Sequence, residues 1–311
     1  MATIIKFLLC LGLLFSFTGC SEPVIEDDYD AEQSTYRRME LNGKKYKYNT
    51  HLVNFLIVGT DTSDDSMGQS DFIGLLIFDR QNEEISFLTL SRNAYVPIKT
   101  YDAAGKFIDW SSNFLALSFS YGSDVKSGTY LTADAVSKLL NDIPMSYVAQ
   151  LNLNGIVQIH DVVDTLEVVI PDGSLEYVDS SWSEGKTVLL TNENVEQFVR
   201  FRDISEDFTN VNRMARQKTY LLAYVDQVKE LLNADFSSTA AELEDVLGSC
   251  FTNFDLSEVE AFAQMLMTYK WDEGSFYELP GTEEKGTFHD RFVVDKEALK
   301  ALICDLFYLE K

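Results

Sequence analysis

LVNFLIVGTDTSDDSMGQSDFIGLLIFDRQNEEISFLTLS, residues 52–91, decides the fold class. Its first seven residues form an apolar run rich in β-branched and aromatic side chains, the pattern of a strand buried on both faces. Gly59 opens a loop, GTDTSDDSMGQS, crowded with turn-forming residues. DFIGLLIFD (71–79) and ISFLTLS (85–91) repeat the strand pattern, and RQNEE between them reads as a turn. Three strands with short connections predict a central sheet, and the first loop places Asp61 and Asp71 at adjoining strand ends.

Downstream, residues 95–128 are aromatic and read as less regular. A helix is expected over 132–141, with Thr132 capping its first turn. SYVAQLNL (146–153) reads as a strand, GIVQIHDVVDTL (155–166) as an amphipathic helix, and EVVIP (167–171) as a short strand ended by Pro171. Thr191 is expected to cap a helix through Val195 and Phe198, ending near Val199. Arg216 and Gln217 are expected to open the next, KTYLLAYVDQVKELL (218–232). Residues 238–311 read as mostly helical, with a Leu279-Pro280-Gly281 turn and a final helix, DKEALKALICDLF (295–307). Strands alternating with helices predict an α/β layered domain.

The 311 residues allow one large or two modest domains. Lys6 and an apolar run from Phe7 to Phe17 are too short to span a bilayer and end in small residues, as a secretory signal over 1–19 does. Thr18-Gly19 directly before Cys20 resembles a bacterial lipobox, with Cys20 the acylated first residue of a lipoprotein. An ordinary signal peptide or an imperfect membrane anchor is the alternative. Residues 21–35 read as a polar acidic spacer, so 20–50 is assigned as tether and lead-in and 51–311 as the domain. Within it the core is 52–232 and the C-terminal helical part 233–311.

Fifty Asp+Glu against 25 Lys+Arg give a formal charge of -25, which excludes nonspecific nucleic-acid binding through the global field. An anionic ligand needs a local cationic cluster. Cys250 and Cys304 remain after cleavage; export permits a disulfide, and buried free thiols fit equally. No CxxC or Cys/His spacing suggests zinc, and His51, His160 and His289 lack partner spacing, which leaves them surface or core roles.

Such a cluster exists at residues 198–217, FVRFRDISEDFTNVNRMARQ, which hold four of the nine arginines. Arginine's planar fork matches two phosphate oxygens at once. The bland alternative pairs them with Asp203, Glu206 and Asp207 on a solvated face. Arg200 and Arg202 share a face only where the backbone is extended, and Arg213 and Arg216 share one at a helix start, where free N–H groups favour anions. Asp61 and Asp71 are oxygen donors of the kind Mg²⁺ takes, or else solvated loop acids. Arg92 ends the third strand, in Ser91-Arg92-Asn93. Together these describe a diphosphate pocket with a carboxylate-held metal.

The ordered set NFLIVGTD, QSDFIGLLIFD, ISFLTLSRN, DIPMSYVAQLNLNGIVQIHDVVDTLEVVIP, VRFRD and RMARQ resembles the LytR–CpsA–Psr family over about Leu52–Leu232. The resemblance implies a three-layer α/β/α fold, a central mixed sheet flanked by helices. It also implies an extracytoplasmic, membrane-attached protein of mainly Gram-positive bacteria. Such proteins transfer teichoic acids or capsule from a polyprenyl-diphosphate carrier to peptidoglycan. Residue by residue, Asp61 and Asp71 fall at the metal aspartates, for Mg²⁺ (or Mn²⁺), and Arg92, Arg200, Arg202, Arg213, Arg216 and Gln217 at the catalytic positions. Asp207 matches the general base, with extra residues before Arg213. Gln69 stands where the family has arginine and Asn93 where it has aspartate. A pocket lysine is missing from DWSSNFLALSFSYG unless Lys106 supplies it, and residues 107–121 are candidates for the lipid groove or the core.

The expected activity is a phosphotransferase, in which a peptidoglycan sugar hydroxyl attacks the sugar-bearing phosphorus and polyprenyl phosphate leaves. With water as the attacker, the same site would be a pyrophosphatase. Gln69 and Asn93 motivate the other reading, a lipid-anchored binding or regulatory protein that kept the pocket without turnover. No nucleic acid is expected as a partner.

Overall fold

The structure, a computed structural model, describes residues 35–64, 66–102, 104–203, 209–286 and 290–311. The expected signal segment with Cys20, the expected spacer through residue 34, the candidate base Asp207, and His289 lie outside the described residues. Among those described, no helix is long and apolar enough to cross a membrane.

In chain order the first strands are β1 (Arg38–Leu41), β2 (Lys44–Tyr48), β3 (Leu52–Thr60), β4 (Ser70–Asp79), β5 (Glu84–Thr89), β6 (Tyr95–Tyr101) and β7 (Phe107–Phe114). Helices α1 (Leu117–Ser120) and α2 (Val125–Leu139), strand β8 (Tyr147–Leu151), helix α3 (Leu153–Asp161) and strands β9 (Leu166–Val169) and β10 (Thr187–Leu190) follow. Next come α4 (Val195–Arg200), α5 (Thr209–Ala234), α6 (Phe236–Gly248), β11 (Phe251–Thr252) and α7 (Val259–Thr268). β12 (Phe276–Glu278), β13 (Gly281–Glu284), β14 (Arg291–Val294), α8 (Lys296–Phe307) and β15 (Tyr308–Glu310) complete the chain.

Six strands form the central sheet in the order β11-β8-β3-β4-β5-β12. β3 runs parallel to β8 and antiparallel to β4, and β12 runs parallel to β5, so the sheet is mixed. Side chains alternate across a strand. Leu56, Val58, Ile73, Leu75, Ile77 and Leu88 therefore face one side, against Ala133 and Val136 of α2 and Ile303 and Phe307 of α8. Phe55, Ile57, Phe78 and Phe87 face the other, toward Leu221 and Val225 of α5 and Phe262 of α7. Each buried residue of this size contributes about 1.5–3 kcal/mol. Helices cover both faces, giving the three-layer α/β/α arrangement and explaining why the strands read as unbroken apolar runs.

A second core lies beside the sheet. The antiparallel β9–β10 pair (Leu166, Val168, Leu190) packs with Phe198 of α4 and Val228 of α5. His160 is fully buried near this cluster, a core role.

Several expected boundaries move. Residues 95–101 and 107–114 pair as antiparallel strands with a register shift at Thr100/Tyr101, and Val96 and Ile98 of β6 are buried. α2 starts at Val125 because Asp124 and Ser127 make a reciprocal capping box; Thr132 is mid-helix, its hydroxyl donating to the Gly128 carbonyl. α4 starts at Val195, with Asn194 rather than Thr191 at the cap position. α5 starts at Thr209, seven residues before Arg216, so Arg213 and Arg216 lie inside the helix rather than at its first turn. The C-terminal part carries helices but also β11 and β12, which close both sheet edges. β2 pairs with β15, so residues 38–48 belong to the compact unit Thr35–Lys311 rather than to a tether. Cys250 is half-buried and Cys304 buried, both as free thiols.

Candidate functional site

The β3–β4 connection builds the first half of the site. The register of the pair shifts between Gly59 and Thr60, and Asp61 follows directly. Asp61 closes the loop on itself: its N–H donates to the Gln69 carbonyl (3.2 Å), and its Oδ1 accepts the Gln69 N–H (2.7 Å). Gly68 permits this approach, because a Cβ there would lie 2.2 Å from Asp61 Oδ1. Among the described residues, nothing donates to Asp61 Oδ2.

Asp71, the second residue of β4, is the anchor. Arg92, just past β5, donates through Nη1 to Asp71 Oδ1 and through Nη2 to Gln69 Oε1. Gln69 thus uses its carbonyl oxygen to hold an arginine. Arg213 Nη1 lies 3.5 Å from Asp71 Oδ2, and Arg213 Nη2 donates to Asn210 Oδ1 (2.6 Å). Arg213 is only 3% exposed, and among the described residues its Nε–H has no acceptor. Burial, then the neighbouring cations Arg92, Arg202, Arg216 and Arg200, pull its pKa down to about 9. Burial and Arg202 lower that of Arg92, opposed by Asp61. A cationic centre short of counter-charge is the electrostatic signature of an anion site.

Helix α4 ends as its residues require. Arg200 is its last residue, ion-paired with Glu196 one turn back, and Phe201 leaves the helix at φ -52°, ψ 136°. The extended step lets Arg202 turn to Thr209 Oγ1, 3.2 Å away at the start of α5. Arg216 departs from the expected phosphate grip. Nearly fully buried, it donates through Nε to the Phe198 carbonyl (2.8 Å), through Nη1 to Asp172 and Ser174 Oγ (2.6 Å), and through Nη2 to the Phe201 carbonyl. It clamps the chain that carries Arg200 and Arg202. Gln217 helps, with Nε2 donating to the Val199 carbonyl (3.2 Å).

Behind this polar cluster opens an apolar cavity of about 320 Å³, between the second sheet face and helices α5, α6 and α7. Phe72, Phe87, Leu221, Phe262 and Trp271 are among its walls, and Asp71, Arg200, Arg213 and Gln217 stand among the residues lining it. Residues 107–121 do not line it: Phe107 and Ile108 are exposed, while Leu115 and Phe119 pack in the core on the opposite face. Lys106 sits exposed in the β6–β7 turn. A separate cleft of mixed lining, about 460 Å³ and including Lys126, Gln150 and Phe251, contains none of the candidate residues.

Asp61 and Asp71 supply hard oxygens at the two ends of one loop, a partial shell of the kind Mg²⁺ completes with water and ligand oxygens. Among the described residues no group of three or more His, Cys, Asp and Glu gathers. The open Asp61 Oδ2 fits such an ion, and an ion on Asp71 shares that carboxylate with two guanidiniums.

Sequence reading missed Asn210, Asp172 and Glu196. Asn210 and Glu196 stand three and four residues from their arginines, so helix spacing carries that signal once the helix starts are known. Asp172 meets Arg216 across 44 residues, a separation that no local pattern encodes.

The LytR_cpsA_psr family model matches residues 21–306. A polyisoprenyl-teichoic acid–peptidoglycan teichoic acid transferase TagU of Bacillus cereus is 25% identical over 189 residues, 60% of this chain and 54% of that one. The TagU of Oceanobacillus iheyensis is 23% identical over 252 residues, 80% and 72% of the two chains. The chain thus spans about half the length of the first of these relatives. A structure described as the protein YwtF (TagT) with bound octaprenyl pyrophosphate lipid superposes with a TM-score of 0.59 at 21% identity, covering 88% of this chain and 95% of that one. The two share a fold.

Proposed function

The chain belongs to the LytR_cpsA_psr (LytR–CpsA–Psr) family, and from that premise we propose that it moves a glycopolymer from a polyprenyl-diphosphate carrier to peptidoglycan. The observation that carries the reading is the junction of unlike surfaces at Asp71, where buried Arg213 and half-buried Arg92 stand beside an apolar cavity. A ligand that fits both needs two or more negative charges joined to a long apolar tail. A polyprenyl diphosphate has that construction, and related proteins are named as teichoic acid transferases or contain octaprenyl pyrophosphate.

In this reading Arg92, Arg200, Arg202 and Arg213 hold the diphosphate oxygens and neutralise charge on the departing phosphate. Arg216 positions Arg200 and Arg202 through its bonds to the Phe198 and Phe201 carbonyls. Gln217, tied to Val199, orients an oxygen at the cavity mouth. Asp61 and Asp71 would hold Mg²⁺ or Mn²⁺, which when bound adds positive charge beside the diphosphate. An acceptor sugar hydroxyl forms an O–P bond to the sugar-bearing phosphorus as that phosphorus loses its bridging oxygen. Polyprenyl phosphate leaves with the electron pair, and Asp207 takes the hydroxyl proton. Lipidation at Cys20 would keep the domain on the extracytoplasmic face of the plasma membrane, beside its lipid substrate.

Competition binding tests the junction with a polyprenyl diphosphate, the same polyprenol without phosphate, and inorganic pyrophosphate. Affinity for the complete molecule should exceed that for either fragment by about a hundredfold or more, because linked groups share one association cost. Equal affinity for polyprenol and its diphosphate would contradict the role of the arginines.

A further inference from the structure

Glu283 belongs to the C-terminal hairpin, far in sequence from every residue assigned above, yet it meets the site. Three donors converge on its Oε1: Ser91 Oγ at 3.4 Å, Asn93 Nδ2 at 3.4 Å and Asn210 Nδ2 at 3.3 Å. Oε2 lies 3.5 Å from Asn93 Nδ2. A backbone bond from Phe292 N–H to the Asn93 carbonyl (2.9 Å) pins the hairpin to the Arg92 loop, and Phe292 is the register partner of Glu283.

Asn210 is 1% exposed, and its amide has one sensible orientation. Oδ1 accepts from Arg213 Nη2 at 2.6 Å, which leaves Nδ2 toward Glu283. The reverse orientation would aim N–H at a guanidinium and an oxygen at a carboxylate. Arg213, with Nε unpartnered, keeps its aim at Asp71 through Nη1 and the Asn210 contact. The unusual Asn93 also fits: it donates to Glu283, whereas an aspartate there would face a second carboxylate.

We propose that Glu283 is a positioning residue, whose Oε1 fixes the Asn210 amide and through it the Arg213 guanidinium that receives the diphosphate. The inference rests on the transferase reading for its ligand and on the geometry above for its contacts. Because the donors converge on Oε1, a glutamine retains the acceptor and a methionine of similar length removes it.

The test uses the full chain in detergent as wild type, Glu283→Met and Glu283→Gln, with inorganic pyrophosphate titrated calorimetrically and thermal unfolding recorded alongside. Glu283→Met should weaken binding about fivefold, the equivalent of one net hydrogen bond, while Glu283→Gln stays within about twofold of wild type. A residue acting through charge alone would bind the anion more tightly in both variants, and that result overturns the proposal. So does Glu283→Met binding as wild type, whether or not its unfolding temperature falls. Should the wild type bind neither pyrophosphate nor a polyprenyl diphosphate, the transferase reading is the one in error, and the side-chain amide signals of Asn210 in nitrogen NMR, recorded without ligand, decide the other. They should move in Glu283→Met and stay in Glu283→Gln; an unmoved pair in Glu283→Met overturns the positioning role.

Discussion

Gly68 and Arg213 show how single residues build the site. An alanine Cβ at position 68 would lie 2.2 Å from Asp61 Oδ1 and 2.6 Å from Thr62 Cγ2, so the loop must shift and take its carboxylate along. Gly68→Ala should leave the fold intact and weaken the apparent Mg²⁺ affinity of the ligand complex about tenfold or more, read by metal titration. Arg213 is a desolvated cation among like charges, held by one longer ion pair. Replacing a whole buried ion pair with apolar residues is often stabilising, but removing one partner costs about 3–5 kcal/mol because the other is left uncompensated. Arg213→Met leaves Asp71 with Arg92 alone and strands the buried Asn210 Oδ1, so it should lower the unfolding temperature while abolishing diphosphate binding. An unchanged or higher unfolding temperature would show that the desolvated charge costs the fold more than its partners return.

At the scale of elements, legibility in the sequence followed length and burial. β3, β4 and β5 are six to ten residues long and buried on both faces, so their apolar runs were readable. β11 and β12 are two and three residues long, too short to carry a period, and only tertiary pairing makes them strands. The first turn of α5, Thr-Asn-Val-Asn, consists of weak helix formers and reads as loop; contact with Arg202 and Glu283 holds it helical. The candidate aspartates and arginines were legible as residue types in an ordered pattern. Their division of labour was not, because the buried bonds of Arg216 come from residues 198, 172 and 174. Arg216→Met should cost about 3 kcal/mol or more by stranding the Phe198 and Phe201 carbonyls and Asp172, measured by denaturant unfolding.

His160 gives a pH test at the same scale. Burial between α3 and α5 lowers its pKa below the ordinary 6.5, with Tyr220 OH 3.3 Å from Nδ1 and the charges of Asp161 and Asp164 opposing the shift. The unfolded chain therefore binds the proton more readily than the folded one. Its contribution to stability is complete above the unfolded pKa and falls as pH drops through that value toward the folded one. His160→Gln should flatten the stability profile just below pH about 6.5.

For the whole molecule, the formal charge is -25, while the proposed pocket takes an anion. The long-range field repels the ligand, and the arginine cluster acts only at short range. Raising ionic strength from about 0.01 to 0.15 M shortens the screening length from about 30 to 8 Å, so association with a polyprenyl diphosphate should accelerate with salt. Stopped-flow rates that fall with salt would show the cationic patch steering the encounter instead. The fold gathers these parts economically. One sheet face builds the α2–α8 core, and the other leaves a cavity with the charged site at its rim.

The transferase claim itself is tested most directly by incubating the full chain with a polyprenyl-diphosphate glycan and peptidoglycan fragments, with and without Mg²⁺. Polyprenyl phosphate should appear together with glycan joined to the acceptor, only when metal is present, and Asp71→Asn should abolish both. Tight binding of the donor with no release, under conditions where a related transferase turns it over, would contradict the claim and leave a binding protein in its place.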